Sequence, residues 1–120
     1  MFGLFKNQAS ELTDSVHEEI KQGRAIIIDV RESDEVESSH IIGAHWIPLS
    51  MIRSDVKGAT KTIKDKFPNK KIYFYCRSGS RSQMATDIFR KEGVNGHNLG
   101  GINSLKGDFK TESGSLKCCG

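Results

Sequence analysis

The chain has 120 residues, 36% hydrophobic and 28% charged, with 18 basic against 15 acidic side chains and a net charge of +3. That length closes one core and leaves little for a second, so one domain over residues 1–120 is expected. The mild, interleaved charge leaves no nucleic-acid footprint, no run of about eighteen apolar residues spans a membrane, and three cysteines form no secreted disulfide framework.

The apolar stretch at the N-terminus is too short for a signal peptide, so a reducing, cytoplasmic setting is expected. Leu12, Val16 and Ile20 recur every four residues, with Ser10 as a candidate cap and Gly23 as a stop, which predicts an amphipathic helix. "AIIIDV", Ala25 to Val30, reads as a strand buried on both faces of a parallel sheet. The polar "ESDEVESSH" holds one short helix, "AHWIPL" a brief strand ended by Pro48, and Ser50 to Val56 a turn or two of helix. Lys61 to Lys71 reads as a solvated helix closing in a turn, and Ile72 to Tyr75 as a second doubly buried strand. Met84, Ala85, Ile88 and Phe89 share one helical face that Gly93 ends; "GHNLGG" is a last strand and "INSLKGDF" a last short helix. From about residue 111 the composition is that of a flexible tail. Strands alternating with helices predict an α/β fold, a mainly parallel sheet flanked by helices on both faces. Sites in such sheets gather at the carboxyl ends of the strands, where Cys76 falls.

Cys76 stands between a strand and a helix, where unsatisfied backbone N–H groups and the positive end of the helix dipole converge. Arg77 and Arg81 add positive charge, so the thiol is expected to ionise below the ordinary range. Gly79 allows positive φ, while Ser78, Ser80 and Ser82 are small enough for the loop to curl with its amides inward. The pattern is that of an anion cradle around one sulfur.

"CRSGSRS" resembles the active-site loop of the rhodanese-like sulfurtransferases. "IIIDVRESDEVESSHIIGAHWIP" is similar to that family's DVR, acidic-helix, H-I-x-G-A and I-P elements, and "NLGGI" to its post-loop L-x-G-G. The resemblance implies a cofactor-free, metal-free sulfurtransferase in which Cys76 takes sulfane sulfur from a donor such as thiosulfate and passes it to cyanide or a thiol. The amides of Arg77, Ser78, Gly79, Ser80 and Arg81 would hold the persulfide and the two guanidiniums would attract the donor, although either arginine could instead pair with a carboxylate. The implied partners are a small-molecule sulfur donor and a thiol or protein acceptor, with neither nucleic acid nor membrane. Phosphatases and arsenate reductases of the same fold are the alternative enzyme class, but their loops put five residues between cysteine and arginine, and only four separate Cys76 from Arg81. A non-catalytic binding module is the third reading.

By the same resemblance Asp29 and Arg31 form a structural ion pair and His40 a hydrogen-bonded structural histidine. Departures from the family pattern fall at Ser39, Ile42, Trp46 and Leu105, outside the loop. Cys118 and Cys119 are either a sulfur relay reaching back to Cys76 or two incidental thiols on a frayed end.

Overall fold

The computed structural model describes residues 2–119, with side chains from Leu12 onward. Helix α1 (Phe2–Lys21) precedes β1 (Ala25–Asp29), and α2 (Ser33–Ser38) leads to two short strands, β2 (His40–Ile41) and β3 (His45–Trp46). Helices α3 (Leu49–Ser54) and α4 (Val56–Lys66) then run into β4 (Lys71–Cys76), α5 (Ser80–Lys91), β5 (Gly96–Gly101), α6 (Ile102–Leu105) and β6 (Thr111–Glu112). The central sheet has strand order β3-β1-β4-β5, and every pairing in it is parallel.

Both apolar runs become inner strands because their alternate residues serve opposite faces. On β4, Ile72, Phe74 and Cys76 join Ile28, Ile52, Ile63 and Phe89 in one core beneath α3, α4 and α5. Tyr73 and Tyr75 face the other way and pack with Val16, Ile27, Ile102 and Leu105 beneath α1 and α6. The expected α/β architecture, a mainly parallel sheet with helices on both faces, is what the chain adopts.

Local boundaries differ in three places. Ser10 does not cap α1: the helix begins at Phe2, and no proline or glycine after its first turn breaks it. Of the three periodic residues only Val16 is buried, while Leu12 and Ile20 face outward. The lysine-rich helix starts at Val56, where the Asp55 carboxylate accepts from the Gly58 N–H at 2.9 Å, and it stops at Lys66, so Lys71 opens β4 instead. The stretch expected to fray from about residue 111 lies against the body: β6 pairs antiparallel with β2, and Gly114 N–H donates to Glu37 O. Backbone pairing of the kind that holds any sheet edge does this, and composition carries no sign of it.

Phe74 and Phe89 have no exposed surface and stack with centroids 5.2 Å apart, tying α5 to β4. Phe89→Ala should lower unfolding free energy by about 3–5 kcal/mol, the usual cost of a large buried ring. Urea titration followed by circular dichroism measures it, and a loss under about 1 kcal/mol would mean that α5 is not seated as described.

Candidate active site

Cys76 is the last residue of β4 and has no exposed surface. The chain then turns within three residues into α5, and it can do so because Gly79 takes φ 101°, a left-handed conformation that costs glycine nothing. This turn aims backbone donors at the sulfur: Gly79 N–H lies 3.0 Å and Ser82 N–H 3.4 Å from Cys76 Sγ. The Ser82 hydroxyl lies 3.3 Å from it. Burial pushes the Cys76 thiol up, but the Ser82 hydroxyl and the N–H groups of Ser82, Gly79 and Ser78 outweigh burial and hold it below the ordinary cysteine value.

The loop is wedged from behind by β5. A Cβ on Gly101 would lie 2.4 Å from the Arg77 carbonyl oxygen and 3.0 Å from Ser78, so only glycine lets the two backbones meet. The double glycine of "NLGG" therefore acts on the cysteine loop itself.

The two arginines part ways. Arg81 makes a bidentate pair with Glu35 of α2, Nη1 to Oε1 at 2.6 Å and Nη2 to Oε2 at 2.7 Å, and its guanidinium is committed to a carboxylate. Glu35 is held down to about 2, first by the Arg81 hydrogen bonds, against the opposing effect of burial. Arg77 is exposed, has no ion pair among the described residues, and lines a cleft of about 240 Å³ with Ser38, Ser39, Asn103 and Lys106. Ser78 and Ser80 bond each other at 3.2 Å on the outer side of the loop. Of the five loop residues expected to hold anionic sulfur, Gly79 gives its amide to Sγ, the Ser78 N–H also favours the thiolate, Ser80 bonds Ser78 on the outer side, Arg77 stays open to solvent, and the Arg81 side chain is paired with Glu35. Ser82 adds a donor pair that lies outside that set of five.

The supporting residues sit as structure rather than chemistry. Arg31 Nη2 donates to Asp29 Oδ2 at 2.7 Å, both side chains buried, and the guanidinium lies over the Tyr75 ring at 5.5 Å. His40, also buried, bridges Val36 O at 2.9 Å and Glu112 Oε2 at 3.2 Å, so it links α2 to β6.

Cys118 and Cys119 are not brought to Cys76. Cys118 bridges Trp46 in parallel fashion, Trp46 is in register with Asp29, and Asp29 with Tyr75. Three strand spacings of about 4.8 Å therefore put the tail about 14 Å across the sheet from the Cys76 strand. Adjacent residues of an extended chain point to opposite faces. Cys118 accordingly meets Met51, Sγ to Sδ 3.7 Å, while Cys119 packs on the core, where burial outweighs the lowering effects of the Trp46 backbone and Lys66 and pushes its thiol up. Trp46 anchors this edge, its Nε1 donating to Arg31 O at 2.8 Å and its carbonyl accepting from Cys119 N–H at 3.0 Å.

Known proteins show the same pattern. The family described as rhodanese-like domain matches residues 12–108. The uncharacterized Bacillus subtilis protein YqhL is 38% identical over 119 residues, covering 98% of this chain and 85% of its own. A putative sulfur carrier protein of the same organism, YrkF, is 39% identical over 67 residues, covering 56% of this chain but only 32% of its own. Among solved structures, a human single-domain sulfurtransferase superposes with TM-score 0.61 at 25% identity, covering 78% of this chain and 91% of that one.

Two outcomes follow from the geometry. In Gly101→Ala the added methyl has a backbone carbonyl in its way, so the Cys76 loop must shift; Cys76 alkylation should change rate at least severalfold while Ala at the open Gly107 leaves it alone. Equal rates in the two variants would contradict the wedge. Glu35, depressed in the folded state, adds stability that is fully present above about 4.5 and is lost as pH falls toward about 2. Glu35→Gln should flatten the urea midpoint across that window, and an unchanged acid slope would show that the pair does not couple to folding.

Proposed function

Because this chain belongs to the rhodanese-like domain family, we propose that it is a sulfurtransferase that carries sulfane sulfur as a persulfide on Cys76. The observation that supports this most is the convergence of N–H donors from Gly79 and Ser82 on one buried sulfur. Such donors favour an anionic sulfur and need no separate base to make it.

The Cys76 thiolate attacks the outer sulfur of a donor such as thiosulfate; a sulfur–sulfur bond forms to Sγ while the donor's own breaks, and sulfite leaves with the electron pair. Arg77, exposed beside the loop, draws in the anionic donor. Because Cys76 is fully covered, donor entry displaces the outer loop residues Arg77 and Ser78, which are exposed. The loop amides then hold the terminal sulfur until cyanide, a small thiol or a protein thiol attacks it, taking that sulfur and returning the thiolate. Sulfur carriage and sulfur transfer are the activities for which YrkF and the human single-domain protein are named, and they support the same reading here.

Phosphate transfer fits less well. A phosphate needs an arginine on its equatorial oxygens, and the Arg81 guanidinium is already paired with Glu35.

Incubation with thiosulfate and mass spectrometry of the Cys76 peptide test the proposal. The expected result is added mass of one sulfur, discharged by cyanide and absent in Cys76→Ser. Turnover of an aryl phosphate with no sulfur on Cys76 would overturn it.

A further inference from the structure

Asn98, on β5, sits behind the cysteine loop and is fully engaged. Its side-chain oxygen accepts from the Ser82 hydroxyl at 2.7 Å and from Gly100 N–H at 3.0 Å. Its side-chain nitrogen donates to Gly79 O at 3.0 Å and to Gln83 Oε1 at 3.2 Å. Since Gly100 N–H can only donate and the Gly79 carbonyl can only accept, the amide has one orientation that satisfies all four contacts. Ser82, with no exposed surface, stands between this amide and the sulfur.

The geometry points to Asn98 as a positioning residue for the chemistry at Cys76, acting through two groups: the Ser82 hydroxyl that it holds beside the sulfur, and Gly79, whose backbone it ties to β5. The inference rests on Cys76 being the sulfur carrier.

The Ser82 hydroxyl has one hydrogen and two acceptors in reach. While Cys76 is a thiol, its S–H donates to Ser82 Oγ and the Ser82 hydrogen goes to Asn98 Oδ1. When the thiol proton leaves to solvent, the hydroxyl turns and donates to the thiolate. Asn98 Oδ1 is not stranded by that turn, because Gly100 N–H still pairs it. Loss of the proton is thus met by rotation of one hydroxyl, with no heavy atom displaced. Gly79 is fixed at both ends of its backbone, N–H on the sulfur and C=O on Asn98. The charged groups around the sulfur are Arg77 on the loop, Arg81 on α5 and, across from it, Glu35 on α2. From β5 the loop is met by uncharged residues, Asn98 and the glycines Gly100 and Gly101, and the neighbouring His97 is bonded to Asn95 and Arg90.

Two variants separate this role from simple packing. Ser82→Ala deletes the hydroxyl, and Asn98→Asp keeps size and acceptor but loses the donor to Gly79 and adds negative charge near the thiolate. The readout is the pH dependence of iodoacetamide alkylation of the Cys76 peptide, with the urea midpoint measured alongside. Both variants should move the alkylation midpoint to higher pH, so that alkylation at a fixed pH below it slows about five- to tenfold, the effect of losing one hydrogen bond to a charged group. A packing role alone would lower the urea midpoint and leave the pH midpoint at the wild-type value; that result in either folded variant overturns the inference. If wild-type Cys76 takes no sulfur from thiosulfate while both variants still shift the midpoint, the sulfur-transfer reading fails and the effect of Asn98 on Cys76 ionisation stands. Sulfur loading in the wild type with unmoved midpoints in the variants would refute the Asn98 role alone.

Discussion

The hydrogen bonds that Gly79 and Ser82 donate to Cys76 Sγ are the constraint around which the functional half of this molecule is arranged. They exist because β4 delivers the cysteine to a fixed point and only three residues separate it from α5, so the chain turns tightly with its amides toward the sulfur. A sulfur buried among apolar side chains with no such donors would stay protonated and inert. Here burial and donation oppose each other, and donation wins. Each further feature of the site holds that turn in place: the left-handed Gly79, Gly101 in contact with the loop backbone, and the Arg81–Glu35 pair that fastens the start of α5 to α2.

This division of labour bears on the size of what the site holds. Both arginines sit in the same short stretch, yet one is spent on architecture and the other is left at the surface. The shorter loop and the occupied Arg81 act in the same direction, leaving backbone N–H groups and the Ser82 hydroxyl as the inner donors. Backbone donors at 3.0–3.4 Å around one atom match one or two sulfurs better than the three oxygens of a phosphoryl group.

Much of this could be read from the chain because the physics is local. Continuous apolar runs mark β1 and β4, and a glycine between a cysteine and a helical pattern allows the positive φ that Gly79 adopts. What could not be read depends on partners far along the chain. Nothing near Arg81 announces Glu35, 46 residues earlier, and nothing near Ser82 announces Asn98, 16 residues later. Asn98 carried one signal in retrospect, a polar side chain inside a strand that abuts the loop. The tail is held by equally distant partners: Thr111–Glu112 pairs with the two-residue strand His40–Ile41, too short to leave a periodic pattern, and Cys119 N–H bonds the carbonyl of Trp46. Cys119 is turned to the core and Cys118 toward Met51, so the two neighbouring thiols have different surroundings.

Whether the amides of this turn hold sulfur on Cys76 is read directly from ¹⁵N–¹H correlation spectra recorded before and after loading with thiosulfate. The Gly79 and Ser82 amide resonances should move on loading, return on addition of cyanide, and move more than those of Gly23 or Gly93, which lie at the amino ends of the strands, opposite Cys76. Sulfur loaded on the protein with the Gly79 and Ser82 resonances unmoved would contradict that role for the amides.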